Sequence, residues 1–487
     1  MRNDTKTSGG AESSSRPEGG ELAEIDRIFE AQRRAFQKTP FMPADQRISH
    51  LQRLKSALVD QQEAFVTAVY ADFNGRAEDE TLLAEFFPAL EGIRYASRRV
   101  KRWMRPNRRA VNLTSMPGRA KVLYQPLGVV GIIVPWNYPI YLAVGPLTYA
   151  LAAGNRVMIK MSEFTPNTAT LFQEMIRRTF KEDHVAVVTG EADVAAAFSA
   201  KPWDHLLFTG ATAIGKHVMR AAADHLTPVT LELGGKSPAI IGTTTPSMDA
   251  AERIAFGKLL NAGQTCIAPD YVLCPRQRAD AFVSDLKTCV PKMFPDMKAN
   301  PRFTAIVNDR QYKRIHGLLE DAKQKGAQIT EINPAGEDFT DTQKMPLYVL
   351  QRVTEEMSVM KEEIFGLLLP VLPYDTIDEA IAYINAHPRP LALYYFGYDR
   401  RQIEYVLTNT HSGGALINDT LMHVAQDDLP FGGVGSSGMG RYHGREGFNS
   451  FSNIRGVFYK PRFNSSRLIY PPYGRRVHRL LYRLFIR

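Results

Sequence analysis

Cysteine is scarce in this chain of 487 residues: only Cys266, Cys274 and Cys289 occur, enough for one disulfide at most and at spacings unlike those of a zinc site. A disulfide scaffold and a metal-thiolate fold are excluded, so a reducing compartment is the expected setting and no metal site is expected. No unbroken apolar run reaches the roughly 18 residues that a membrane-spanning helix needs. Acidic residues are absent from positions 451–487, where nine Lys and Arg stand; the remaining 51 basic residues balance the 51 acidic ones. The net charge of +9 therefore belongs to the tail, and a neutral body argues against a nucleic-acid surface.

What is present suits a globular protein. Hydrophobic residues make up 44% and charged residues 23%, which rules out disorder of the whole chain, and at about 150 residues per domain the length allows about three domains. Residues 1–20 are rich in Ser, Gly, Thr and charge and lack an apolar h-region, so they read as a disordered arm and not as a secretory signal. From residue 21 to 100 the apolar spacing is helical, as in Leu51, Leu54, Leu58 and Phe65, Val69, and residues 98–109 read as a solvated helix end and loop. Strand-like runs then alternate with helical ones: VLYQPLGVVGIIV, residues 139–153, NRVMIK, 168–180, VAVVTG, 193–200 and HLLFTG. That alternation predicts a doubly wound parallel sheet, and a second series between residues 250 and 407 predicts another. The Gly-rich residues 430–444 carry Phe, Met and Tyr and read as a tight, packed loop.

Four segments carry chemistry. HLLFTG followed by ATAIGKHVM puts Gly210 and Gly215 at a strand-to-helix turn, where unpaired N–H groups and the helix dipole favour an anion such as a pyrophosphate. In LELGGKSP, Glu232 ends an apolar strand before Gly234 and Gly235, a place for a general base if burial raises its pKa. In NAGQTCIAPD, Cys266 is a candidate nucleophile; an ordinary thiol is only about 3% thiolate at pH 7, so it needs N–H dipoles, a cation or a base. In PWNYP, two prolines hold the Asn137 amide as a donor of the kind that completes an oxyanion hole. Each has a plainer reading alone: a glycine turn, a surface glutamate, a small buried hydrophobe, an Asn cap. Cys274 and Cys289 fit the plain reading.

Together the segments are far more specific than any one of them. PWNYP, IKMSE, FTGATAIGK, LELGGKSP, GQTCIAPD, EEIFG and PFGGVG stand in the order of the aldehyde dehydrogenase superfamily, which the chain resembles over roughly residues 21–460. Residues 417–448 and the tail segment LIYPPYGRR resemble the class 3 branch, and within it the bacterial coniferyl aldehyde dehydrogenases. The resemblance implies an α/β fold of two doubly wound domains plus a small β bridging element. Residues 21–108 and 126–232 would bind NAD(P), 233–441 would form the catalytic domain, 109–125 and 442–460 the bridging and oligomerisation elements, and 461–487 a basic tail.

The resemblance also assigns roles. Cys266 attacks the aldehyde, Asn137 and the Cys266 N–H hold the oxyanion, and Glu232 activates the water that hydrolyses the thioester. Lys160 and Glu163 take the adenine ribose, Thr209, Gly210 and Gly215 lie by the pyrophosphate, Glu363 and Phe365 hold the nicotinamide ribose, and Trp136, Leu233 and Gly234 complete the coenzyme site. A carboxylate at Glu163 favours a ribose 2′-OH, so NAD is expected, with NADP admitted because Lys160 is beside it. Met161 and Leu367 stand where the family usually has proline, departures that loosen a turn without removing a polar group. A homodimer in the cytoplasm acting on an aromatic aldehyde is the implied setting, with a medium- or long-chain aliphatic aldehyde as the alternative. Acylation of coenzyme A is disfavoured by Glu232, and a non-catalytic binding protein by the intact Cys266, Glu232 and Asn137.

In the tail, Val477, Leu480, Leu481, Leu484 and Phe485 follow helical spacing with arginines between them, an amphipathic basic helix too short to span a bilayer. Two expectations stand for it: docking on the protein, or peripheral contact with an anionic membrane surface.

Overall fold

The structure is a computed structural model that describes residues 19–462 and 464–486. Of the expected arm, residues 1–18 lie outside the described residues, while Gly19 and Gly20 open the first helix, Gly19–Lys38. Helices Ala44–Asp60, Gln62–Asp72 and Phe87–Trp103 follow. Their apolar stripe, including Leu51, Leu54, Leu58, Phe65 and Val69, is fully buried, as the spacing predicts.

Three sheets organise the rest. One has six strands in the order Gly438–Met439, Val229–Leu233, His205–Gly210, Val129–Ile133, Arg156–Lys160 and Val185–Val188. All run parallel except Gly438–Met439, which is antiparallel to Val229–Leu233. The chain lays down Val129–Ile133, Arg156–Lys160 and Val185–Val188 in one direction and then returns to the centre with His205–Gly210. This reversal makes a topological switch point at the carboxyl ends of the central strands, the place where doubly wound sheets bind ligands. The helix Tyr141–Ala153 is buried along its whole length, because it is apolar on every face.

A second sheet has seven strands: Gln328–Ile332, Leu347–Gln351, Leu368–Tyr374, Tyr271–Pro275, Pro238–Ile241, Ala392–Phe396 and Gly414–Ile417. Only Gln328–Ile332 is antiparallel. The third sheet joins Asn107–Arg109, Arg119–Pro126 and Ser452–Tyr459, all antiparallel.

Three expectations about the chain are corrected. VLYQPLGVVGIIV is not one strand but two in different sheets, broken at Gly128, whose φ is +149°. A Cβ there would lie 2.0 Å from the Asp204 carboxylate, which accepts the Val129 N–H at 2.7 Å. Residues 98–109 are not simply helix end and loop, since Asn107–Arg109 pairs with Arg119–Pro126. The Gly-rich loop holds a strand of its own, Gly438–Met439. In the tail, the helix Arg476–Phe485 forms with His478 buried and Val477 and Leu481 half-buried, while Leu480, Leu484 and Phe485 face out beside Arg476, Arg479 and Arg483.

Candidate active site

Cys266 sits just past a sharp turn that the sequence forces into an unusual backbone. Asn261, Ala262 and Gly263 are successively left-handed, with φ of 53°, 52° and 73°. Two of these are not glycine, a strain that persists only where surrounding contacts over-determine it. Those contacts are present. The Gln264 side chain donates to the Asn261 and Ala305 carbonyls at 2.9 and 3.0 Å and accepts the Val307 N–H at 2.9 Å. The Asn261 amide donates to the carbonyls of Asn137 and Gln264, each at 3.1 Å.

The same turn holds Asn137. Its side-chain Nδ2 donates one hydrogen to the Gln264 carbonyl at 3.1 Å, and an amide has a second hydrogen to offer. The Asn137 carbonyl is gripped from behind by Arg76 at 3.0 Å, and Arg76 in turn pairs with Glu85 at 3.0 Å, both without exposure. Glu80, also buried, accepts the Asn261 N–H at 3.1 Å and the Thr304 hydroxyl at 2.5 Å. Tyr138 and Thr265 share a hydrogen bond of 2.6 Å between their hydroxyls. Asn137 and the turn that carries Cys266 are thus tied to one rigid framework.

Glu232 lies at the end of its strand with only 2% exposure, and its Oε1 has no protein partner. Burial pushes its carboxyl up to about 8, opposed by the charge of Arg441. The Cys266 thiol is also pushed far up, first by burial and then by the charges of Glu232 and Glu363, while the N–H groups of Cys266 and Ile267 act the other way. A neutral thiol thus rests beside a carboxyl whose pKa is near neutrality, which suits proton exchange between them.

The expected coenzyme residues fall along the carboxyl ends of the six-stranded sheet. Lys160 is in register with Ile133, Thr209 with Glu232, and Gly210 with Leu233. Lys160 Nζ meets Glu163 Oε2 at 3.2 Å. Lys160 ends a strand three places from that of Glu232, and Glu163 stands in the turn just after it. The Thr209 hydroxyl is buried without a protein partner, and the helix Thr212–Ala223 that follows has no side-chain cap on its first N–H groups. A Cβ at Gly215 would meet Leu233 at 2.6 Å, so glycine lets that helix sit close on the sheet.

Glu363 and Gly234 face each other: a Cβ at Gly234 would lie 1.9 Å from Glu363 Oε2. Glu363 Oε1 is buried and unpartnered, and burial together with the charge of Asp270 pushes this carboxyl up to about 8. Phe365 adopts a left-handed φ of 50° and sets its ring edge-on to Trp136 at 5.4 Å. Lys236 fastens this stretch by pairing with Asp270 and donating to the Val359 and Glu362 carbonyls at 2.8 and 3.0 Å. Met161 gives its N–H to the Val188 carbonyl at 3.1 Å, a sheet bond that proline could not make. Unpartnered acceptors at Thr209 and Glu363, glycines where side chains would clash, and an open helix N-terminus fit a dinucleotide.

Residues 10–457 match the aldehyde dehydrogenase family. The chain belongs to that family. An aldehyde dehydrogenase oxidises an aldehyde to the carboxylic acid, with NAD(P) as its coenzyme. Among relatives, the chain is 58% identical to a probable coniferyl aldehyde dehydrogenase of Pseudomonas aeruginosa, over 96% of this chain and 97% of that one. Its fold is similar to that of Staphylococcus aureus AldH in a substrate-bound state, at a TM-score of 0.89 and 35% identity, covering 95% of this chain and 99% of that one. It is also similar to a Mycobacterium tuberculosis aldehyde dehydrogenase complexed with NAD+, at a TM-score of 0.81 and 27% identity, covering 91% of each chain.

Sequence reasoning did not single out Arg76, Glu80, Glu85 or Asn261 for this aldehyde dehydrogenase. Asn261 and Gln264 stand within NAGQTC and were open to notice as polar groups at a buried turn. Arg76, Glu80 and Glu85 come from the helical N-terminal region, where only three-dimensional closure brings them behind Asn137.

Proposed function

We propose that this chain oxidises coniferaldehyde or a related aromatic aldehyde to its acid through a covalent intermediate on Cys266. The observation that carries the mechanism is the convergence of Cys266, Glu232 and the free hydrogen of the Asn137 amide: a buried hydrogen bond fixes that amide to the Gln264 carbonyl, two residues from Cys266, and the charge of Glu232 acts on the Cys266 thiol. Glu232 takes the thiol proton as Cys266 attacks the carbonyl carbon. The Asn137 amide and the Cys266 N–H hold the oxyanion of the thiohemiacetal. NAD, with NADP admitted, supplies the hydride acceptor when bound. Once Glu232 has released the thiol proton to solvent, it takes a proton from water, whose oxygen bonds to the acyl carbon as the C–S electron pair returns to the Cys266 sulfur and the acid is freed.

Lys160 and Glu163 would hold the adenine ribose, Thr209, Gly210 and Gly215 the pyrophosphate, and Glu363 and Phe365 the nicotinamide ribose, with Trp136, Leu233 and Gly234 shaping the site. Residues 21–108 and 126–232 serve as the coenzyme domain, 233–441 as the catalytic domain, and 109–125 with 442–460 as the bridging element. The aromatic substrate is supported by the 58% identity to the Pseudomonas aeruginosa relative, through that protein's name.

A homodimer is supported by the edge strand Ser452–Tyr459, which exposes Ile454, Phe458 and Tyr459 beside an unpaired backbone edge. A cytoplasmic setting is supported by three unpaired cysteines, one of them proposed to be reactive. The outward Leu480, Leu484 and Phe485, set among arginines, support peripheral contact of the tail helix with an anionic membrane surface. No helix among the described residues is long and apolar enough to cross a membrane.

Reduced-coenzyme formation with coniferaldehyde, benzaldehyde and an aliphatic aldehyde series tests the reading, with Cys266→Ala alongside. Preferred turnover of coniferaldehyde that vanishes in the variant is the expected result. A preference for long aliphatic chains would discard the aromatic substrate, and no turnover with any aldehyde would discard the activity.

A further inference from the structure

An oxyanion hole works only if its donors meet the developing charge at the right distance and angle. In the reaction proposed above, that requirement falls on the free hydrogen of the Asn137 amide. Three charged side chains with no part in the chemistry so far, Arg76, Glu80 and Glu85, lie buried behind it, and Arg76 and Glu85 have no exposure at all. Ion pairs taken out of water add little to stability, because the cost of desolvation offsets the attraction. What this group contacts gives it another use.

The spacing of the two carboxylates is set by a π-turn. The Phe87 N–H bonds to the Leu82 carbonyl five residues back, so the segment Leu82–Phe86 holds one residue more than an α-helical turn. In an unbroken α-helix, side chains five apart point about 140° away from each other. One extra residue brings them to about 40°, the angle between residues four apart. Glu80 and Glu85 accordingly both reach the region of Asn137 and the turn before Cys266.

Each carboxylate holds one side of the site. Glu80 accepts the Asn261 N–H at 3.1 Å and the Thr304 hydroxyl at 2.5 Å, and the Thr304 oxygen accepts the Ala77 N–H at 3.1 Å. That chain of bonds fixes the left-handed turn before Cys266. On the other side, Glu85 Oε2 accepts the N–H groups of Ile140 and Tyr141 at 2.7 and 3.1 Å, at the start of the helix Tyr141–Ala153, where the helix dipole favours a carboxylate. Glu85 Oε1 faces Arg76 Nη1 at 3.0 Å, and the same nitrogen donates to the Asn137 carbonyl at 3.0 Å. The guanidinium lies over the rings of Phe73 and Tyr138, 5.1 and 4.8 Å from their centroids. Among the described residues its Nε and Nη2 have no hydrogen-bond partner, so the Asn137 carbonyl is the group that this guanidinium serves. Asn261 donates to the same carbonyl, and the Asn137 amide donates to the Gln264 carbonyl, each at 3.1 Å.

We propose that Arg76, Glu80 and Glu85 are positioning residues for the oxyanion step, acting on Asn137 from one side and on the Cys266 turn from the other. The proposal rests on the role of Asn137 given above and deepens it. As the Cys266 sulfur bonds to the carbonyl carbon, the C=O electron pair moves to oxygen and the thiol proton goes to Glu232. Charge on that oxygen is small in the bound aldehyde and full in the thiohemiacetal. An Asn137 amide turned from its angle therefore costs rate and not binding.

Arg76→Lys keeps a charge beside Glu85 but loses the planar fork, and Glu85→Gln keeps the shape but lets Arg76 go. Each is mixed rapidly with NAD and the aldehyde that the parent turns over fastest, alone and combined with Asn137→Ala, and circular dichroism checks the fold. First-turnover formation of reduced coenzyme should fall about tenfold or more in each single variant, while KM for aldehyde and for NAD stays within about twofold. Asn137→Ala alone should lose about 10²- to 10³-fold, the range for one oxyanion donor. Adding Arg76→Lys or Glu85→Gln to it should then cost less than about twofold more, because side chains that act through one group do not add. Parent rates in the single variants, a raised KM in place of a slowed first turnover, or the full further loss in the combined variants would overturn the proposal. An Asn137→Ala variant as fast as the parent would instead overturn the reading of Asn137 on which it rests. Should one of the two substitutions prevent folding, the other carries the same test.

Discussion

Replacing Glu232 with glutamine keeps the shape of the side chain and removes its titration. With a pKa of about 8, roughly one in ten Glu232 side chains is ionised at pH 7 and roughly nine in ten at pH 9. The free enzyme needs the ionised form to take the Cys266 proton. The parent kcat/KM for aldehyde should therefore climb nearly tenfold per pH unit below about 8 and level off above it. The sign follows from the cause: burial raises the carboxyl, so the active base appears as pH rises and is lost as pH falls. Glu232→Gln should lower kcat/KM by about 10²- to 10⁴-fold, the range for loss of a general base, and flatten this limb. Initial rates of reduced-coenzyme formation from pH 6 to 10 provide the assay, with circular dichroism to show that the variant folds. A variant that retains the same rising limb, or loses less than about tenfold, would refute the assignment of Glu232 as the base.

Gly234→Ala places a methyl group where the Glu363 carboxylate now lies, 1.9 Å from Oε2, so Glu363 must move. The expected outcome is a KM for NAD raised about tenfold or more, with the stability of the fold little changed; an unaltered KM would remove Glu363 from the coenzyme site. For the tail, the full chain should sediment with vesicles containing anionic lipid, and a chain ending at Lys460 should not. Equal sedimentation of the two would show that the exposed flank of the helix has another partner.

The α/β alternation was legible because buried parallel strands leave continuous apolar runs, as in HLLFTG, while the helices between them keep a polar face. The break in VLYQPLGVVGIIV was not, since both halves are apolar and the reason for the break, Asp204 against Gly128, is distant in sequence. Asn107–Arg109 looked like a solvated run because all three side chains are exposed and only its backbone is paired. Cys266, Glu232, Asn137, Gly210, Gly215 and Gly234 stood in recognisable local motifs; in the structure Asn137 bonds to the turn before Cys266, and Thr209 and Gly210 lie in register with Glu232 and Leu233. The framework behind them did not stand out. Arg76, Glu85 and Asn261 act on Asn137 from 61, 52 and 124 positions away, and nothing local marks a buried ion pair or a left-handed Asn.

The most direct measurement is the mass of Glu232→Gln after mixing with coenzyme and aldehyde, followed by peptide mapping. Without the base, hydrolysis stalls, and the acyl group should remain on the peptide that carries Cys266 and be absent when Cys266 is also replaced by alanine. Reduced coenzyme formed with no acyl group on Cys266, or an acyl group on another residue, would contradict the account.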